Sequence, residues 1–237
     1  VYTVKAGGGS ENVQKSDGEW QFGPGQQTES TDTTEEDTVS MKAIKAAGEL
    51  ILKGGKYSLD SADDTIHSNA NITISDGEFT LASGDDGIHA DSATTISGGT
   101  IDITESYEGI EGLSIDITGG ETYVSGPTND GNSALDYNGT GTVTGGIFIA
   151  AGSSGMAENF GDSSTQGVMM VTVNSQAAGS AVSLSDSSGN ELVSWTPEKE
   201  YTSVIISCPE ITTGQEYTLT TGSDTTQITM DSIVYGS

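Results

Sequence analysis

The chain has 237 residues, with 35 acidic against 7 basic side chains and a formal net charge of −28. The basic residues are lysines 5, 15, 42, 45, 53, 56 and 199, so nucleic acid and anionic membranes are excluded as partners and divalent cations become the natural counter-charge. No apolar run approaches the 18 residues of a membrane helix, which excludes membrane insertion, and the lone Cys208 excludes an internal disulfide.

The 33 glycines and abundant Ser and Thr favour turns and short strands over helices. Together with the acidity, they predict an extracellular or bacterial cell-surface protein. Residues 1–22 read as the end of a structural rung, because Tyr2 and Val4 match Tyr57 and Leu59 further on. A long loop insertion at about 8–38 then interrupts the pattern, and its stretch Glu29 to Asp37 is poor in apolar residues. The start inside a rung predicts either a monomer or one part of a larger extracellular protein.

From residue 41 the chain repeats itself. Met41-Lys42-Ala43-Ile44-Lys45, Asp63-Asp64-Thr65-Ile66-His67, Asp85-Asp86-Gly87-Ile88-His89 and Tyr107-Glu108-Gly109-Ile110-Glu111 follow one another at a spacing of 22 residues. A period of that length signals a solenoid, in which equivalent residues stack on neighbouring rungs. The apolar columns are Leu50/Ile72/Thr94/Ile115, Leu52/Ile74/Ile96/Ile117, Tyr57/Phe79/Ile101/Thr122, Leu59/Leu81/Ile103/Val124 and Ile44/Ile66/Ile88/Ile110. Within a rung they alternate with polar residues, which is strand periodicity, and glycine pairs such as Gly54-Gly55 and Gly98-Gly99 supply the corners. A fifth rung is expected with Asp130 in the acidic position and with Leu135, Val143, Ile147 and Ile149 in the core.

After Gly155 the period is lost, and alternating stretches between residues 168 and 236 suggest antiparallel strands, with Trp195 in their core. The prediction is therefore an all-β fold. A right-handed parallel β-helix of about 22 residues per rung fills 1–160, and a C-terminal antiparallel β unit or cap fills 161–237.

Stacked rungs lie about 4.8 Å apart, and two carboxylates at that distance repel by about 1 kcal/mol even in water. A column of Asp64, Asp86, Glu108 and Asp130, flanked by Asp63, Asp85 and Glu111, thus calls for a cation. Calcium, which takes several oxygen ligands with flexible geometry, is the expected one. The plainer alternative is a solvated acidic face, which suffices for Asp76, Glu78, Asp102 and Asp116. His67 and His89 are candidates for carbohydrate contact. So are Tyr107, Tyr137, Trp20 and Phe22 as aromatic platforms.

The strings DDGIHADSATTISGG, SYEGIEG, SALDYNGTGTVTGG and AAGSSGMA resemble a bacterial carbohydrate-binding β-helix family of clostridial cellulose- and pectin-binding proteins. That family is similar in architecture to the family-9 polysaccharide lyases. The resemblance implies calcium at the Asp-Asp turns and binding of cellulose and acidic, pectin-type polysaccharide. The lyases' Asp-Asp-x-x-Asp calcium motif meets Asp85-Asp86-Gly87-Ile88-His89, with His89 in place of the last acid; the turn at Asp63 departs in the same way, at His67. The expected function is calcium-dependent, non-catalytic binding of plant cell-wall polysaccharide. The alternatives are a lyase acting by β-elimination or a calcium-stiffened surface adhesin. Against the lyase stands the lack of any Lys between residues 57 and 198 and of any Arg in the chain, since a base must take the sugar proton.

Overall fold

The computed structural model of the chain describes residues 1–12 and 40–236. Most of the expected insertion, with Trp20 and Phe22, therefore lies outside the described residues. Among the described residues there is no helix long and apolar enough to cross a membrane.

The solenoid is built from β1 (Tyr2–Ala6), β2 (Ile44–Ala46), β3 (Leu50–Ser61), β4 (Ile66–Ser68), β5 (Ile72–Ser83), β6 (Asp86–Glu105), β7 (Glu108–Ser125), β8 (Leu135–Val143) and β9 (Ile147–Gly152), each paired in parallel with its equivalent on the next rung. The registers reproduce the apolar columns: Ile44, Ile66, Ile88 and Ile110 stack in order, as do Tyr57, Phe79, Ile101 and Thr122. Ile66, Ile88, Ile110, Ile74, Ile96, Ile117, Leu81 and Ile103 are fully buried. Each such side chain contributes roughly 1.5–3 kcal/mol on leaving water. Tyr2 pairs with Tyr57 and Val4 with Leu59, as the early match predicts, and the rings of Tyr2, Tyr57 and Phe79 stack at centroid distances of 5.1 and 4.7 Å.

The glycine corners differ from expectation in one respect. They do not end the strands; β3, β5, β6 and β7 run through them with a local shift of register. Glycine is required there for space as well as for backbone angle. At Gly120 φ is +81°, and a Cβ would lie 2.7 Å from the carbonyl oxygen of Gly99 on the rung below.

The last rung breaks the spacing. Leu135 pairs with Ile110 and Phe148 with Thr122, offsets of 25 and 26 residues, because 126–134 forms a longer turn. Phe148 and Ala150 consequently face the solenoid interior. Ile149 belongs to a second core, and Ile147 packs against it, which corrects the expectation that those two isoleucines continue the first.

The C-terminal strands are β10 (Val168–Gln176), β11 (Val182–Asp186), β12 (Glu191–Trp195), β13 (Tyr201–Ser207), β14 (Glu216–Thr221), β15 (Asp224–Thr229) and β16 (Val234–Tyr235). β13 adds antiparallel to β9, and β10 and β16 follow, so the solenoid sheet continues directly into the C-terminal unit. A second sheet, β12-β11-β14-β15, covers the outer face of that extension. The extension is a wall between two cores. Phe148, Ala150, Val168 and Ile205 face the lumen, where Phe160 packs edge-on against Phe148; Ile149, Ala151, Met169, Val204 and Ile206 face the second sheet. Residues 161–166 cross the end of the solenoid and bond to Gly141 and Val143, so the lumen closes on a lid and a wall together.

A shared wall makes the two units one cooperative body. Phe148→Ala and Ile149→Ala, on opposite faces of β9, should each cost about 2–5 kcal/mol and move a single denaturation midpoint followed by circular dichroism. Two separate transitions, each moved by one variant, would contradict this. The buried hydroxyl of Thr122 has no hydrogen-bond partner. Thr122→Val should therefore stabilise the chain by about 1 kcal/mol in the same assay.

Candidate functional site

The repeated acidic turn joins the end of one long strand to the start of the next: Ser61 to Ile66, Ser83 to Asp86, and Glu105 to Glu108. Buried serines hold its shape. Ser83 Oγ lies 2.8 Å from the carbonyl oxygens of both Asp63 and Asp86, which share its one hydroxyl proton, and Ser61 Oγ donates to Asp63 O at 2.8 Å. Thr65 Oγ1 donates to the Gly87 carbonyl on the next rung. At Gly87 a Cβ would meet the carbonyl oxygen of Gly109 at 2.7 Å, so the chain passes too tightly there for a side chain.

Because successive side chains point in opposite directions, the turn divides its carboxylates between two sides. Asp63, Asp85 and Tyr107 line a groove of about 790 Å³, whereas Asp64, Asp86 and Glu108 turn toward the imidazole column. The expected column of Asp64, Asp86 and Glu108 and the acids flanking it, Asp63 and Asp85, thus face two different sides.

On the imidazole side the pairing runs His67, His89, Glu111, Asp136, with Lys45 before them. Lys42 Nζ bonds Asp63 Oδ1 at 2.7 Å and Asp64 Oδ2 at 2.5 Å. His67 Nδ1 lies 2.8 Å from the same Asp64 Oδ2, and His67 Nε2 lies 3.0 Å from Asn69 Oδ1. His89 Nδ1 is 3.0 Å from both Asp86 Oδ2 and Glu111 Oε2. The two imidazoles lie 4.8 Å apart. The chain therefore supplies its own counter-charges on the first rungs, and they run out by the third.

The proton affinities record this gradient. Burial alone would raise the Asp63 carboxyl, but hydrogen bonds from Lys42 and from the Asp64 amide hold it below its ordinary value. Burial likewise disfavours the Lys42 charge, yet its bonds to Asp63 and Asp64 raise its pKa. Hydrogen bonds to Asp86 and Glu111 push His89 up to about 10. Asp85 is raised by burial and by the charges of Asp64 and Asp63. Glu108, buried beside Asp136 and Glu111, is pushed up to about 7. Asp86 and Glu111 adjoin closely enough to share a proton, with burial driving Asp86 up and the His89 bond holding Glu111 down.

The groove side is different. Tyr107 is 50% exposed, the most accessible aromatic among the candidates in the described residues. Lys199 lines the same groove, and its Nζ bonds Glu105 Oε1 at 2.6 Å and the Ser106 carbonyl at 2.7 Å. Spacing gave no hint of this lysine, because its partner lies 94 residues earlier. Asp136 was also hidden, since the 25-residue offset of the last rung puts Ser133 rather than Asp130 beside Glu108. Asp130 instead sits exposed in the 126–134 turn and accepts a bond from Ser153 Oγ. Tyr137 lies over Gly141 with its hydroxyl donating to the Asn159 carbonyl at 2.6 Å, and so serves packing. Trp195 packs against the second core and stacks on Tyr123 at 5.8 Å.

Among the described residues three sets of side chains converge closely enough to ligate one ion: Asp63/Asp64/Asp85, Asp64/His67/His89 and Asp86/His89/Glu111. The first is all oxygen and fits a hard cation such as calcium by ligand type. Two of its carboxylates, however, already carry the Lys42 ammonium, leaving Asp85 as the member without a cationic partner among the described residues.

The model of a family described as carbohydrate-binding domain-containing protein matches residues 2–87, which include both Asp-Asp turns. No curated protein and no solved structure matches the chain.

Lys42 neutralises a nearly buried carboxylate, Asp64, and removing it leaves that group with only His67 and the Asp86 amide as hydrogen-bond partners among the described residues. Lys42→Met should lower stability by about 3 kcal/mol in metal-free buffer, measured by urea denaturation. An unchanged midpoint would show that the ion pair contributes nothing.

Proposed function

We propose that the chain is a non-catalytic polysaccharide-binding protein of the extracellular space or bacterial cell surface, and that glycan lies in the groove lined by Asp63, Asp85, Glu105, Tyr107 and Lys199. The carrying observation is the exposed Tyr107 ring set between carboxylates in an open groove. An aromatic face takes the C–H side of a pyranose, while carboxylates accept from its hydroxyls. The match of residues 2–87 to a carbohydrate-binding family supports the same reading.

Acidic, pectin-type chains need a positive bridge to approach a protein of net charge −28. Asp85 and Asp63 would hold calcium for that purpose, and calcium supplies the charge that joins them to a uronate. Lys199 lines the groove with its amine, and its position favours one second reading, a β-eliminating lyase. Its Nζ is already bonded to Glu105 and to the Ser106 carbonyl, so it is not presented to a sugar proton.

Retention on polygalacturonate and on cellulose, each with calcium or chelator, tests the proposal. Tyr107→Ala should weaken retention on both by about tenfold or more. Asp85→Asn should remove the calcium dependence on polygalacturonate. Retention unaffected by either change would overturn the groove as the binding site. No unsaturated product should absorb in the ultraviolet; a rise abolished by Lys199→Ala would make the chain an enzyme.

A further inference from the structure

We propose that Asp86, His89 and Glu111 form a site for a d-block divalent cation of the zinc, cobalt or nickel type, distinct from the oxygen-only set at the groove. The donors are Asp86 Oδ2 and Glu111 Oε2, each 3.0 Å from His89 Nδ1. All three converge within 4.8 Å of one another.

The chemistry of the set separates it from calcium. Calcium favours six to eight oxygen ligands, whereas an imidazole nitrogen favours zinc and its d-block neighbours.

The outer groups fit as well. His89 Nε2 faces Asp91 Oδ1 at 3.6 Å. A metal-bound imidazole commonly directs its second nitrogen at such a carboxylate, which fixes the ring and leaves Nδ1 for the ion. The His89 and Glu111 side chains are 25% and 28% exposed, so an ion can enter. Asp86 is itself nearly buried, and further acids stand around the set, at Asp85, Glu108 and Asp136. Among the described residues Lys42 is engaged by Asp63 and Asp64 and Lys199 by Glu105, and Lys45 stands two rungs from His89, beyond His67. The neighbouring set Asp64/His67/His89 is a poorer site, because the Lys42 ammonium lies 2.5 Å from its only carboxylate oxygen facing the rings.

The inference concerns metal uptake alone and stands whether or not the groove binds glycan. Untagged, chelator-treated chain should be titrated with zinc chloride by calorimetry, with cobalt(II) visible absorption as a second readout. The expected result is one equivalent of zinc, cobalt bands that indicate nitrogen ligation, and no loss of zinc to equimolar calcium. His89→Gln should weaken uptake at least about tenfold. Glu111→Gln should do the same and serves should His89→Gln fail to fold, while Asp76→Asn, at a distant corner, should change nothing. The absence of heat and of cobalt bands would overturn the proposal, leaving His89 as a protonated imidazole that clamps two carboxylates. So would zinc uptake unchanged in folded His89→Gln and Glu111→Gln chains.

Discussion

In-register parallel stacking is the constraint from which the rest of this structure follows. When every rung repeats the one below at about 4.8 Å, a residue is never a single event; it is a member of a column. For isoleucine the rule is favourable, and the columns Ile44/Ile66/Ile88/Ile110 and Ile74/Ile96/Ile117 fill the lumen with side chains in near-crystalline order. For aspartate it is unfavourable, because like charges are forced into contact. The chain answers by changing the residue type along the column. Lys42 meets Asp64, His67 and His89 interleave with Asp64 and Asp86, and only then do Glu108, Glu111 and Asp136 accumulate. The charge is neutralised from one end and left open at the other.

The division of the turn into two faces gives the open end its chemical variety. One face offers oxygen and an exposed aromatic ring, at Asp63, Asp85 and Tyr107; the other combines oxygen with imidazole, at Asp86, His89 and Glu111. A few ångströms of backbone thus present two donor sets of different hardness. Nothing in the turn's backbone differs between them, only the alternation of side chains.

Much of this was legible in the sequence, for a physical reason. Parallel pairing preserves numbering, so a 22-residue period in the letters becomes a register in space, and Ile66 over Ile88 or Asp86 beside Glu108 follows by subtraction. What subtraction cannot deliver is a contact whose partner lies outside the repeat. Lys199 reaches Glu105 from the C-terminal unit, and Asp136 enters the column only because the 126–134 turn lengthens the last rung. Ile147-Phe148-Ile149-Ala150-Ala151 also misled, since alternation is invisible when both faces of a strand are apolar. A uniformly apolar strand at the end of a repeat is the mark of a surface shared by two cores.

That shared strand has a mechanical consequence. β9 is bonded in parallel to β7 along one edge and antiparallel to β13 along the other. Drawing the C-terminal sheets away from the solenoid therefore pulls on whole rows of hydrogen bonds at once, rather than opening a hinge or peeling one bond at a time. The junction between the two units is thus a row of bonds along each edge of β9 rather than a linker.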